Sequence, residues 1–346
     1  MPLVFDAPVS SGALTTFVRQ IPLDSELSLL AAASTRTVNN NQIDWNEITR
    51  RNRTARYRAW DGRIHVSSRD SGESKYVNLL PLSTSINMGE YERLQIEFAR
   101  TQGTNKGALV DAIYNDAERL TREVQARLEQ GIGDLLTDGV LTIDENGLVG
   151  FEADFGVPAD QIETAGVLWS SPSTALILDD LHAWVDVYVA NNGVRPGAIR
   201  TSQQVITLML QNEQIIEALY GTTGRTRASL ADLQGLLASE GLPPLVQSYD
   251  TQVDVDGELQ RVIPANRVLL TPASLSDLVQ TVSGVTVTAL ELVNSAKVDF
   301  TFQDAPGIVG VVVKEGPPFR QFTFVDATAM PILTDAKRLM VATVLA

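Results

Sequence analysis

One long amphipathic helix constrains this chain more than any other feature. From about Asn105 to Gly131, with the same period carried on to Leu135, the apolar residues Leu109, Ile113, Leu120, Val124, Leu128, Ile132 and Leu135 recur at spacings of three, four or seven. That period lines them up along one side of an α-helix. Asp111, Asp116, Glu118, Glu123 and Glu129 fall on the remaining faces. Glu118 with Arg122, Arg119 with Glu123 and Glu123 with Arg127 stand four residues apart, where opposite charges on a helix meet and stiffen it. A rod that is apolar on one side and charged on the other is laid on a sheet. The expected sheet is a strand at Glu92 to Arg100, where Leu94, Ile96 and Phe98 alternate with Arg93, Gln95 and Glu97, joined by the hairpin from Val140 to Asp154.

Ahead of the rod the charge inverts. The chain as a whole carries 42 acidic against 27 basic residues, a net charge of −15, yet residues 50–69 hold Arg50, Arg51, Arg53, Arg56, Arg58, Arg63 and Arg69 against Asp61 alone. Tyr57, Trp60, Ile64 and Val66, followed by Tyr76 to Leu79, suit two strands joined by a Ser/Gly/Asp-rich tip from Ser67 to Ser74, a long protruding hairpin. The arginines can be read as a solvated face, as a nucleic-acid patch, or as a surface that docks on an acidic part of another copy. The third reading is preferred, because a net negative chain repels a polyanion while offering acidic surface to its own copies. Glu118 and Glu123 on the rod are the candidate acceptors. A flexible basic arm on a rigid rod is suited to gripping neighbours and poorly suited to cradling a small substrate.

The absence of cysteine in 346 residues removes disulfides, thiolate nucleophiles and cysteine-ligated metals. No stretch approaches the roughly 20 apolar residues of a membrane helix, and MPLVFDAPVSSGALTTFVRQ lacks the order of a signal peptide, so folding in a cytoplasm and no membrane partner are expected. His65 and His182, the two histidines, lie in no metalloprotease pattern, and no nucleophile elbow, P-loop or dinucleotide fingerprint occurs. Gly221 to Arg225 follows a helical pattern and reads as a helix stop and loop. Asp250, Asp254, Asp256 and Glu258 lack EF-hand spacing, and Asp256-Gly257 reads as a hairpin turn, as does Asn146-Gly147 after Asp144-Glu145. No catalytic, metal or cofactor site is assigned.

Residues 1 to about 45 show no sustained period and read as an extended arm. Beyond Pro172 an α+β unit is expected. Its helices run from Asp179 to Asn192, from Gln203 to Gln211 behind a Ser202 cap, from Asn212 to Tyr220 and from Leu230 to Glu240; its strands are at Pro196 to Thr201, Leu245 to Tyr249, the Asp256 hairpin and Arg267 to Leu270.

Several of these pieces occur in a telling order. The arm, the long hairpin and the rod precede Phe151-Glu152-Ala153-Asp154-Phe155-Gly156. Asn191-Asn192-Gly193-Val194-Arg195-Pro196 and Pro264 to Leu270 follow, and the chain closes with Ala329 to Leu333 and Val341 to Leu345. Across nearly its whole length the chain resembles the major capsid proteins of tailed bacteriophages, and more narrowly the lambda-type (major capsid protein E) family. That resemblance implies an α+β, HK97-like fold with an N-terminal arm (1–43), an E-loop (44–88) and a P-domain with a spine helix (89–173 and 285–325). An A-domain (174–284, with 326–346) would complete it. It also implies hexamers and pentamers closing an icosahedral shell around packaged double-stranded DNA, held without sequence-specific binding, and a virion protein assembled in the host bacterial cytoplasm. A portal and a separate scaffolding protein are expected partners, the first forty residues being too short and aperiodic for a built-in scaffold. Some relatives weld subunits by a Lys–Asn bond. Lys75 lies in the E-loop, but Asn294 is the last asparagine, so no weld is expected and a decoration protein is a candidate source of strength. The alternatives are an encapsulin-like nanocompartment shell and, more distantly, an acidic hydrolase.

Overall fold

The computed structural model describes residues 9–46, 74–101, 108–145, 148–221, 224–295, 300–316 and 320–346. In chain order the elements are α1 (Ser11–Gln20), α2 (Ser28–Ala32), β1 (Ser34–Thr37), β2 (Gln42–Asn46), β3 (Ser74–Asn78), β4 (Pro81–Met88), α3 (Glu90–Thr101), α4 (Ala108–Asp138), β5 (Val140–Glu145), β6 (Leu148–Asp154) and β7 (Ile162–Thr164). There follow α5 (Ile177–Asn192), β8 (Ala198–Thr201), α6 (Gln203–Met209), α7 (Glu213–Tyr220), α8 (Leu230–Ser239), β9 (Gln252–Val255), β10 (Glu258–Arg261) and β11 (Arg267–Thr271). The last are β12 (Val279–Ser283), α9 (Val287–Val293), β13 (Val309–Glu315), β14 (Arg320–Leu333) and β15 (Met340–Thr343).

Helix α4 is the spine. Its 31 residues span about 46 Å at the usual rise per residue. Leu109, Ile113, Leu120, Val124, Ile132 and Leu135 are buried along it, as their spacing requires. The helix runs past Gly131, where the sequence pattern set its end, because both interior glycines are sites of close packing. Gly131 lies against the Pro331 ring, and a Cβ on Gly133 would sit 2.1 Å from the Val262 carbonyl oxygen. The helix stops instead at Gly139, whose φ of +80° suits glycine.

The sheet beneath the spine is not the one expected. Residues 92–100 are helical: Tyr91, Leu94 and Phe98 fall at helical spacing, Glu90 and Glu92 occupy the first turn, and the segment is built almost wholly from residues that favour helices. Tyr91 stays largely exposed, and Leu94 and Phe98 about half exposed. The sheet is made by β14, fourteen residues long, which pairs antiparallel with β13 and β4 along its first part and with β12 along its last. β1 adds to β12 in parallel. The segment read as an extended arm contains α1, which Ser10 caps and which seats Leu14 and Val18 over Gly310 of β13. β3 pairs with β2 at Gln42–Asn46, while residues 57–66, the partner expected from the sequence, lie outside the described residues.

The apical lobe has a four-stranded sheet ordered β7-β15-β11-β8 and packed with α5 to α8. Ser202, Asn212 and Ser229 each accept a bond from the backbone N–H three residues on, fixing the starts of α6, α7 and α8. Trp169 is fully buried, stacks on Trp184 with centroids 5.7 Å apart, and donates its indole N–H to Asp180 at 2.9 Å. Residues 245–249 run beside β8 but form only one ladder bridge, Leu245 with Ile199, leaving the expected strand irregular. Both predicted strand pairs are present, β5–β6 and β9–β10; the second turns at Asp256 with φ of 54°, and the Asn146-Gly147 turn of the first lies outside the described residues. β14 crosses residue 326 without a break, so a domain boundary placed there falls inside a strand.

Candidate assembly surfaces

The outward face of the spine forms one wall of an open trench of about 1070 Å³, the other wall being the strap before α2 and the β9–β10 hairpin. Seven carboxylates line it against three arginines. Each arginine is already engaged: Arg122 with Glu118 at 2.9 Å and Asp24 at 3.3 Å, Arg119 with Glu123 at 3.4 Å, and Arg127 with Glu145 at 2.7 Å. The expected pair of Glu123 with Arg127 is thus replaced, because the β5 hairpin brings Glu145 nearer. Glu123 also accepts from the Thr84 hydroxyl at 2.9 Å. Among the described residues Glu26, Asp254 and Asp256 line the trench with no ion pair, and the lining residues carry a surplus of negative charge.

The structure therefore places Glu118 and Glu123, the two candidate acceptors, together on one exposed acidic face. Arg50, Arg51, Arg53, Arg56, Arg58, Arg63 and Arg69 lie outside the described residues, as does His65. What is described is their stem, β2 paired with β3, from which residues 47–73 leave and return.

Glu129 belongs elsewhere. The sequence pattern grouped it with the outward charges, but it is fully buried and draws three donors from two other segments. The backbone N–H groups of Leu29 and Leu30 reach it at 3.0 and 2.5 Å, and the Tyr249 hydroxyl at 2.6 Å. Burial pushes its carboxyl above the usual glutamate value, with the three hydrogen bonds opposing. The Tyr249 hydroxyl is pushed far up, by burial first and then by that carboxylate. Its position three before Ile132 and seven before Leu136 was the available signal, since both neighbours are fully buried.

Comparison with known families identifies the kind of subunit this is: the model of phage major capsid protein E matches residues 10–292. The chain belongs to that family. A major capsid protein is the structural subunit of a virion shell, and this chain is one. No curated protein matches it significantly. Among solved structures it resembles a prophage protein of E. coli CFT073 assigned as a capsid protein, at 13% identity and a TM-score of 0.63 over 100% of both chains. A phage-related protein from Bordetella bronchiseptica RB50 aligns over 99% of this chain and 98% of its own, with 13% identity and a TM-score of 0.51. At these identities the likeness is one of fold, and the fold is the α+β, HK97-like one.

In a capsid protein, carboxylates gathered at turns have structural work, and the acidic residues of the apical lobe show it. Asp250 accepts from the Gln203 backbone N–H and pairs with Arg261 at 2.7 Å; Asp254 accepts from the Gly257 N–H at 2.7 Å and closes the hairpin turn. Asp232 is held below the usual aspartate value by hydrogen bonds from Tyr220 and then Ser229. His182 is half exposed and stands 3.6 Å from Glu240 on the surface. Among the described residues no group of three or more histidine or carboxylate side chains is arranged to hold a metal ion.

Proposed function

We propose that this capsid protein builds the shell of a tailed double-stranded DNA phage as hexamers and pentamers, and that residues 50–69 of one copy dock on the acidic spine trench of the next. The four-stranded lobe would then be the axial A-domain, the spine and its sheet the P-domain, and the segment rising from the β2–β3 stem the E-loop. The carrying observation is the trench itself, where seven carboxylates face three arginines that are already paired, within reach of solvent and on the same chain as a run of seven arginines. Opposite charge placed on two surfaces of one subunit favours heterologous contacts, which close into rings. The partners of such a shell, a scaffolding protein, a portal and a decoration protein, and assembly in the host cytoplasm belong to the same proposal.

A compensating charge exchange tests the docking. Arg56→Glu with Arg58→Glu is expected to block shell formation while leaving the subunit folded, and adding Glu118→Arg with Glu123→Arg is expected to restore it in part. Shells that form normally from the first double variant would show the arginine segment to be a solvated face.

A further inference from the structure

At the joint between spine and apical lobe, the strap before α2 passes β8 and the irregular segment after Leu245, and the three border a cleft of about 400 Å³. The irregularity has a definite form. The Val246 N–H bonds the Ile199 carbonyl at 3.0 Å, and the next bond to β8, from the Tyr249 N–H to the Thr201 carbonyl at 3.2 Å, comes three residues later, where a parallel ladder steps by two. One extra residue is thus inserted at Gln247 and Ser248. Both line the cleft, and neither of their N–H groups bonds another group of the chain among the described residues.

Arg200 of β8 lines the same cleft. It stands opposite Leu269, on the face of the sheet turned away from the apical core that Ile199, Val268 and Leu270 fill. Its Nε–H donates to the Thr271 hydroxyl at 3.1 Å, and that hydroxyl is itself fixed by donating to the Pro272 carbonyl. The guanidinium is therefore oriented by a neutral partner, and among the described residues its terminal N–H groups bond nothing. Burial lowers its pKa from the usual arginine value, with no carboxylate opposing the shift. Arg267, two positions from Leu269 on the same face, also lacks a carboxylate among the described residues, and its Nε–H is buried and unbonded. A planar cation half withdrawn from water, held still and given no anion, is what a site for an anion requires.

We propose that this cleft binds a carboxylate carried on a short aliphatic stem, with its oxygens on the free end of the Arg200 guanidinium and the N–H groups of the bulge. A guanidinium offers two parallel N–H bonds to such a group, and Val246, Ile263 and Leu269 give the stem an apolar wall. The remaining charges select the class. Glu26 stands exposed at the rim, Glu129 lies behind the Tyr249 hydroxyl, and Asp250 is already paired with Arg261. Among these carboxylates a dianion such as phosphate is repelled, whereas a monoanion is matched by one guanidinium. The site belongs to the single subunit and goes beyond the shell reading, whose failure would leave it intact.

Titration of the full-length subunit with butyrate, followed by NMR at an ionic strength held constant with chloride, tests it. The Gln247 and Ser248 amides are expected to shift and saturate while those of β13 stay still. Arg200→Gln should weaken binding about tenfold or more, the effect of losing charged hydrogen bonds, and Arg200→Lys, which keeps the charge but not the fork, should weaken it as well. Glu26→Gln should tighten it. N-acetylglutamate amide separates the two sources of such a group: binding as good as that of butyrate marks an acidic side chain as the natural occupant, and binding of butyrate alone marks a free aliphatic acid. The absence of a saturable shift, equal affinity in Arg200→Gln, or tighter binding of inorganic phosphate than of butyrate would overturn the site. So would saturation in Glu26→Gln alone, since Glu26 would then be the partner of the guanidinium.

Discussion

The apical lobe closes most of its core from one stretch of chain, Ala165 to Leu270, completed by the C-terminal strand, whereas the spine lobe assembles from α1, β4, α4, β13 and β14. Thr15 and Gly310, which bond each other there, are 295 residues apart. The first lobe draws much of its definition from local signals: side-chain caps, helix stops and tight turns. The second is defined by pairings between distant segments, each of which must be ordered before its contacts form. Regions that share one chain can thus differ in how they are specified, and substitutions should separate them.

The largest loss is expected in the apical core. Trp169→Ala removes a fully buried ring, its stacking on Trp184 and its bond to Asp180, and should cost about 3–5 kcal/mol in chemical denaturation of the subunit. A small loss there would mean that the lobe can collapse around the hole and is not the self-contained core described.

Next is Gly133→Ala at the joint. The added carbon meets the backbone carbonyl of Val262, which cannot swing away as a side-chain tip can, so the spine or the loop must shift at a cost of about 1–3 kcal/mol. The comparison sharpens if the same experiment shows the apical helices retaining their exchange protection while the spine lobe loses its own.

The smallest effect belongs to the trench. Arg122→Ala breaks two exposed ion pairs and should change subunit stability by about 0–1 kcal/mol. A loss well above that would make the trench part of the fold and not a surface kept for a partner.

This division also decides what could be read in the sequence. Ser202, Asn212 and the Asp256 hairpin announced their elements because the cap or the turn residue sits beside the element it controls. The spine stripe was legible for the same reason, a periodicity carried by the helix alone. Helix α3 was misread as a strand because Leu94, Ile96 and Phe98 alternate, which outweighed the helical spacing of Tyr91, Leu94 and Phe98 and the acidic first turn. The α1 helix is short, and its seat on β13 depends on Gly310, far along the chain. Of the candidate surface, Glu118 and Glu123 were legible as outward charges. Glu129 was signalled only by its spacing from Ile132 and Leu136, since the residues that bond it, Leu29, Leu30 and Tyr249, lie 100, 99 and 120 positions away.

The central claim, that these surfaces exist to join copies of one chain, is tested most directly by sedimentation and negative-stain imaging of the purified protein at high concentration, with and without the proposed scaffolding protein and across a range of salt. Capsomers or closed shells whose formation weakens as salt rises are the predicted result, because the docking surfaces carry opposite charge. A protein that stays monomeric under all of these conditions would contradict the account.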